Sequence, residues 1–215
     1  GDEINVGRGA GSDGTLSLTD GALLDIGGGT EAGFIGSGLT LGQDSGVGAA
    51  TINASTLLID RNLGNEEARL TVGRGGSGTL QIENGSTVTI QDASTDTGIG
   101  DGVTVAEATA GQAASGVVNV DGVGTTLTID SAHVGALVVA VSGNGIDAAD
   151  GTVNVTNGGV IDITGTGGNS GINVARGGNS TGLIRVSGPG STINVLGPAG
   201  VVGVAVDFGG EVGDG

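Results

Sequence analysis

The residues of this chain that could do acid–base chemistry gather around its single histidine. The segment Asp130-Ser131-Ala132-His133 places a carboxylate, a hydroxyl and an imidazole within four positions. These are the side-chain types of a nucleophilic triad, but a triad is assembled from distant segments of a fold, and the chain has no recognisable nucleophile elbow. We therefore expect His133 to lie in an exposed turn, and we predict no catalytic residue here.

A second segment has the composition of a calcium site. Gly143-Asn144-Gly145-Ile146-Asp147 carries most of one Gly-Gly-x-Gly-x-Asp repeat, whose stacked copies hold Ca²⁺ between neighbouring turns. Such a site needs consecutive copies, and no second copy follows. Asp147 is therefore the one candidate metal ligand, and we expect weak calcium binding by Asp-rich loops and no other cofactor. The chain has no Cys, which excludes thiolate metal sites and disulfides.

The elements that must position these residues belong to a repeat of roughly 33 residues. Each copy starts with an apolar residue, usually a small polar residue, an aliphatic residue, and then Gly or Ala. The third residues of the seven copies are 6, 41, 72, 105, 139, 174 and 204. The copies are Ile4-Asn5-Val6-Gly7, Leu39-Thr40-Leu41-Gly42, Leu70-Thr71-Val72-Gly73, Val103-Thr104-Val105-Ala106, Leu137-Val138-Val139-Ala140, Ile172-Asn173-Val174-Ala175 and Val202-Gly203-Val204-Ala205.

Two further strands follow in each unit, separated by a turn. Alternating aliphatic and polar residues predict strand two at 14–18, 51–53, 78–82, 116–120, 151–155 and 182–186. The same alternation predicts strand three at 23–26, 57–59, 88–90, 127–129, 160–163 and 193–195. Between them lie Asp20-Gly21, Asn84-Gly85 and Asn157-Gly158, and residues of these types tolerate positive φ.

These turns are compatible with two-residue hairpins or with corners between different faces of one coil. We favour corners, because three short strands with one or two inward residues each cannot form a core alone, whereas stacked coils give every strand two neighbours. The predicted fold is all-β, a right-handed parallel β-helix (β-solenoid) of about seven coils with three short strands per coil. At a strand spacing of ~4.8 Å its length is roughly 30–35 Å. Residues 1–215 are predicted to form one domain with incomplete or uncapped terminal coils.

The predicted stacking also tests two functional hypotheses. Polysaccharide hydrolysis needs a pair of carboxylates across a cleft, and Asp25 and Asp162 lie at equivalent positions of strand three. Because they belong to the first and fifth units, we expect them about four coils, or ~19 Å, apart. This spacing argues against the alternative of a polysaccharide-active enzyme. An ice-binding Thr ladder on strand one is also disfavoured, because its Thr run is interrupted at both ends, and Thr simply suits an exposed strand.

Composition limits the partners. The net charge is −17, with six Arg and no Lys, and such a surface repels nucleic acid and anionic lipid. No apolar run is long enough to span a membrane. We therefore expect neither nucleic-acid binding nor membrane insertion. Glycine supplies 50 positions without a Gly-X-Y period, which excludes collagen, and period-two aliphatic alternation argues against disorder.

The run Val72-Gly-Arg-Gly-Gly-Ser-Gly-Thr-Leu-Gln-Ile-Glu-Asn-Gly-Ser-Thr-Val88 resembles repeats in the passenger regions of bacterial autotransporters and related giant adhesins. So does Gly116-Val-Val-Asn-Val-Asp-Gly-Val-Gly-Thr-Thr-Leu127, although the family's Trp is replaced by Leu127 and, in a further copy, by Ile193. The resemblance implies a secreted or cell-surface β-helix without catalytic residues. The expected function is a structural or adhesive module, acting as a stiff spacer or fibre subunit.

The expected partners follow from the ends and loops of the predicted coil. The first copy starts at Ile4 and the last ends without a polar cap, so open strand edges favour either flanking repeats in a longer adhesin or end-to-end self-association into a filament. The chain lacks an initiator Met, and we expect a processed or excised product. The loops at 92–101 and 164–170 vary most and are the predicted contact with a host surface or glycan.

Overall fold

The computed structural model describes residues 3–27, 37–61, 68–92, 102–131, 136–143, 145–165, 171–196 and 205–208. These residues form strands and turns and contain no α-helix. The strands are β1 Glu3–Arg8, β2 Asp13–Leu18, β3 Leu23–Gly27, β4 Ser37–Gln43, β5 Val47–Asn53, β6 Thr56–Arg61, β7 Ala68–Arg74, β8 Ser77–Glu83, β9 Thr87–Asp92, β10 Gly102–Ala108, β11 Ala114–Asp121, β12 Thr126–Ser131, β13 Ala136–Ser142, β14 Ala149–Thr156, β15 Val160–Gly165, β16 Gly171–Arg176, β17 Ser180–Ser187, β18 Thr192–Leu196 and β19 Ala205–Phe208.

The strands form three parallel sheets, and each strand pairs with the strand three places further along the chain. Sheet A has the order β1-β4-β7-β10-β13-β16-β19, sheet B runs from β2 to β17, and sheet C runs from β3 to β18. Each coil therefore contributes one strand to each sheet, which confirms the predicted β-solenoid with three strands per coil. Strands two and three of a unit lie in different sheets, so the turns between them are corners and not hairpins.

The coil count is slightly lower than predicted. Strands β1–β18 make six coils that contribute to all three sheets, and β19 adds one more strand to sheet A. The predicted seventh copy, Val202–Ala205, was also wrong: the sheet register pairs Ile172 with Val206 and Val174 with Phe208. The last step of the repeat is therefore from 174 to 208, close to the earlier steps.

Parallel, in-register pairing lines up equivalent side chains in columns along the solenoid axis. One inward column of sheet A consists of residues 4, 39, 70, 103, 137 and 172, as the motif predicts. Alternation along every strand puts the aliphatic side chains inside, where Leu41, Leu80 and Ile129 are completely buried. Each such side chain contributes roughly 1.5–3 kcal/mol of hydrophobic stabilisation. In the first and sixth coils some of these inward side chains, such as Leu16 and Ile184, are only half-buried, whereas Ile26 and Val174 remain buried.

The fourth residue of the motif turns the chain from sheet A to sheet B. It has positive φ in each of the first six coils, with Gly42 at 70° and Ala106 at 63°. At Gly42 the next coil comes so close that a Cβ atom would lie 1.9 Å from the carbonyl oxygen of Ser77, so only glycine fits. In the fourth and fifth coils Ala106 and Ala140 are buried in a small separate cluster of alanines, under longer corners.

Candidate functional site

Asp147, the candidate metal ligand, lies in the corner between sheets A and B of the fifth coil. Its Oδ2 accepts a hydrogen bond from the backbone N–H of Gly111 in the fourth coil at 2.8 Å. The side-chain amide of Asn179, in the sixth coil, donates to the carbonyl oxygen of Ile146 at 2.9 Å. Among the described residues no group of three or more His, Cys, Asp or Glu could hold a metal ion. In the structure the Asp147 carboxylate links two coils, and its role as a calcium ligand stays a prediction.

The segment around the histidine is only partly described. Asp130 and Ser131 end strand β12, whereas Ala132 and His133 lie outside the described residues. The Asp130 carboxylate accepts a hydrogen bond from Thr164 Oγ1 of the next coil at 2.8 Å. This carboxylate thus also joins neighbouring coils.

Asp25 and Asp162 lie in the same outward column of sheet C. The register places Leu58, Thr89 and Thr128 between them, so they are four coils apart, as predicted. At a rung spacing of ~4.8 Å the separation is ~19 Å, far longer than a hydrolytic carboxylate pair needs. Asp162 Oδ1 instead accepts a hydrogen bond from Asn194 Nδ2 at 2.7 Å.

The outer face of sheet B carries further bonds between coils. Asn154 Nδ2 donates to Asn119 Oδ1 at 2.8 Å, directly across one rung. Asn53 Nδ2 donates to Glu83 Oε1 at 2.7 Å one column further along the strands. These two bonds therefore run from coil to coil along the axis, and Glu83 also accepts from Gln81 Nε2 of its own strand at 3.4 Å.

The outer face of sheet A holds the main ion-pair cluster of the described residues. Glu107 Oε2 lies 3.5 Å from Arg69 Nη2 and 3.4 Å from Arg74 Nε, so one carboxylate of the fourth coil faces two guanidinium groups of the third. On the same face Thr40 is 5% exposed and Thr71 is 3% exposed. The expectation that this Thr column belongs to an exposed strand was therefore wrong at these two positions.

A column of buried hydroxyls between sheets B and C was not found from the sequence. The residue just before strand three is Ser55, Ser86, Thr125 or Ser191 in four of the six coils. Ser86 Oγ accepts from the N–H of Ser55 at 3.2 Å, and its one proton is shared between the carbonyl oxygen of Ile52 at 2.9 Å and that of Glu83, in its own coil, at 2.5 Å. The recurrence of Ser or Thr at this one position was the available signal.

This hydroxyl column continues in the same way further along the solenoid. Thr125 Oγ1 accepts from the N–H of Gly85 at 2.9 Å, and Ser191 Oγ accepts from the N–H of Gly158 at 3.0 Å. In each case the hydroxyl belongs to one coil and the N–H to the turn of the coil before it. The hydroxyls thus satisfy turn amides that have no strand partner.

The predicted binding loops lie largely outside the described residues, which omit 93–101 and 166–170. No helix in the described part of the chain is long and apolar enough to cross a membrane. Comparisons with protein-family models, with curated proteins and with solved structures found no match to this chain. The polar contacts described above join neighbouring coils along the axis.

Proposed function

We propose that this chain is a structural or adhesive module of an extracellular bacterial repeat protein, acting as a stiff spacer or fibre subunit. The observation that supports this most is the unbroken parallel pairing of all three sheets from the first coil to the last. Backbone hydrogen bonds of such a stack run along its axis, and neighbouring coils also share a continuous apolar core. Bending the stack therefore has to break backbone hydrogen bonds in more than one sheet at once.

The polar contacts support the same function. Carboxylates that would serve an active site or a metal centre are held in bonds to adjacent coils, as at Asp130, Asp147 and Asp162. The lack of Cys and the charge of −17 suit an exposed, soluble surface outside the cell. The resemblance to autotransporter passengers and giant adhesins adds the cell-surface setting.

Stiffness can be measured from distances between spin labels. The chain has no native Cys, so labels attach only to Cys residues that are introduced. Thr15 and Leu183 lie in one outward column of sheet B, five coils apart, and Thr79 lies three coils from Leu183 in the same column. Spin labels on Thr15→Cys with Leu183→Cys should give one narrow distance distribution. Its centre should exceed that of Thr79→Cys with Leu183→Cys by ~10 Å, two rung spacings. Broad or equal distributions for the two pairs contradict a stiff spacer.

End-to-end assembly into a filament is the second candidate, and an exposed apolar face on β17 favours it. Val186 of β17 continues an inward column in which Val155, Val120 and Ile82 are fully buried, yet it is 47% exposed because the described strands place nothing above it in sheet B. A second copy covering this face would bury it. Val186→Lys should therefore abolish growth of filaments seen by electron microscopy. Val123→Lys, at a position 84% exposed in a side turn, should leave growth unchanged.

The adhesive part of the proposal has its own test. Binding to a host-cell surface or glycan array should weaken when residues 93–101 or 166–170 are shortened to a Gly-Ser turn. Binding that survives both deletions contradicts recognition through these loops.

A further inference from the structure

Of the three Asn-Gly pairs in the chain, two lie in turns between strands two and three, and the third begins at Asn144, outside the described residues. Asn-Gly is a chemically labile sequence. Asn84-Gly85 and Asn157-Gly158 each place an Asn side-chain amide next to the unhindered backbone nitrogen of Gly. In a flexible chain that nitrogen attacks the Asn side-chain carbonyl carbon and the side-chain nitrogen is lost. Both asparagines are exposed and have positive φ, 57° at Asn84 and 53° at Asn157.

In the solenoid, the two reacting groups of each turn are held towards opposite neighbouring coils. Asn84 Nδ2 donates to Asn53 Oδ1 of the preceding coil at 3.2 Å, while the Gly85 N–H donates to Thr125 Oγ1 of the following coil at 2.9 Å. Ring closure requires the nitrogen to lose its proton and meet the side chain. Both hydrogen bonds oppose that movement.

The turn at Asn157 has the same arrangement with different partners. Asn157 Nδ2 donates to Asp121 Oδ1 of the preceding coil at 2.7 Å, and the Gly158 N–H donates to Ser191 Oγ of the following coil at 3.0 Å. The same geometry therefore occurs twice, two coils apart, which allows the two turns to be compared within one molecule.

The two turns differ in the coil that supplies the protecting hydroxyl. Thr125 is completely buried in the middle of the stack. Ser191 is only half-buried, and Val186 and Leu196 of the same coil are exposed. Hydrogen bonds in more exposed segments open more often than buried ones, so the Gly158 N–H is released more often than the Gly85 N–H.

We infer that Asn157 is a site of spontaneous deamidation controlled by the hydroxyl of Ser191, and that Asn84 is its protected counterpart. When the hydrogen bond from the Gly158 N–H to Ser191 Oγ opens, solvent hydroxide removes the Gly158 N–H proton, and the nitrogen bonds to Asn157 Cγ. The Nδ2 nitrogen leaves as ammonia after taking a proton from water. A second water molecule opens the resulting cyclic imide at either carbonyl, giving aspartate or isoaspartate.

The product has a structural consequence because of Asp121. Its Oδ1 accepts hydrogen bonds from Asn157 and from Thr156 in the folded chain. A carboxylate at position 157 replaces the donated hydrogen bond by repulsion between two negative charges. Deamidation therefore loosens the contact between the fourth and fifth coils and is not reversed by refolding.

The test is peptide mapping by mass spectrometry during incubation of the full chain at mildly alkaline pH. The readout is the mass increase of amide-to-carboxylate conversion, recorded separately for Asn84 and Asn157 and compared with the chain in concentrated urea. Both sites should react more slowly in the folded chain, with Asn157 faster than Asn84. Ser191→Ala should raise the Asn157 rate by roughly three- to tenfold, the factor that one hydrogen bond provides, and leave Asn84 unchanged.

Ser191→Thr is the matched control, because it keeps the hydroxyl and Thr already occupies the equivalent position 125. It should retain the wild-type rate at Asn157. An Asn157 rate that is the same in Ser191→Ala and wild type overturns the inference. If Ser191→Ala does not fold, the wild-type comparison decides alone, and an Asn84 rate equal to or above that of Asn157 overturns it.

Discussion

Removing the hydroxyl of Ser86 tests whether the buried hydroxyl column holds the coils together. Ser86 is completely buried in the third coil, and its Oγ bonds to the Ser55 N–H and the Ile52 carbonyl of the second coil. Ser86→Ala leaves the Ser55 N–H buried without that partner. The expected loss is about 1–3 kcal/mol of unfolding free energy, the cost of an unsatisfied buried polar group. With a urea m-value of about 3 kcal/mol per M, the midpoint falls by about 0.3–1 M.

Two controls make this prediction specific. Ser77→Ala removes an exposed hydroxyl of the same coil, bonded only to Ser115 Oγ among the contacts seen, and should cost less than about 0.5 kcal/mol. Ser86→Thr keeps the hydroxyl and should remain near wild type. Hydrogen exchange of the Ser55 amide should rise in Ser86→Ala more than that of amides in sheet A. Equal losses in the two alanine variants, or an unchanged Ser55 exchange rate, refute the reasoning.

Three further changes probe the close contacts, the core and the ion pairs. Gly116→Ala puts a Cβ 2.3 Å from the Val72 carbonyl oxygen and should cost at least about 2 kcal/mol in urea unfolding, whereas Gly143→Ala, with open space around it, should change stability by less than about 1 kcal/mol. Leu127→Ala, in the fully buried core, should cost about 2–5 kcal/mol, and the loss should show as a lower thermal midpoint. Glu107→Gln leaves two facing arginines and should cost about 1 kcal/mol or less, an effect that shrinks in high salt.

The period-two and 33-residue patterns were sufficient to predict the strands, the sheets and most of the register. The copies starting at Leu39 and Leu70, for example, pair as their motifs align. The seventh copy failed because its sequence alternates apolar residues from Val202 to Phe208, so the pattern fits at more than one register. Pairing with Val174 selects Phe208, which keeps the repeat length close to that of the earlier coils.

The outer surface was harder to predict than the core. Alternation tells which side chains of a strand point outward, but not what covers them, so the burial of Thr40 and Thr71 could not be deduced. The same limit applies to Asp147, whose partner Gly111 lies 36 residues away in another coil. Contacts of this kind depend on corner geometry, which differs between coils. The hydroxyl column, by contrast, was visible as a recurring Ser or Thr and was missed because only apolar periodicity was followed.

The hydrogen bonds between coils that stiffen the stack also slow deamidation of its Asn-Gly turns. Each coil forms hydrogen bonds with turn amides and carboxylates of its neighbours. Stability, rigidity and resistance to deamidation should therefore all be greater where both neighbouring coils cover these groups. The difference between the exposed Val186 and the buried Val155 in one column illustrates this dependence. Covering the exposed apolar face on β17, by another coil or by a second copy, should therefore slow deamidation at Asn157 and raise the unfolding free energy together. If covering this face changes only the deamidation rate or only the unfolding free energy, the two do not depend on the same contacts between coils.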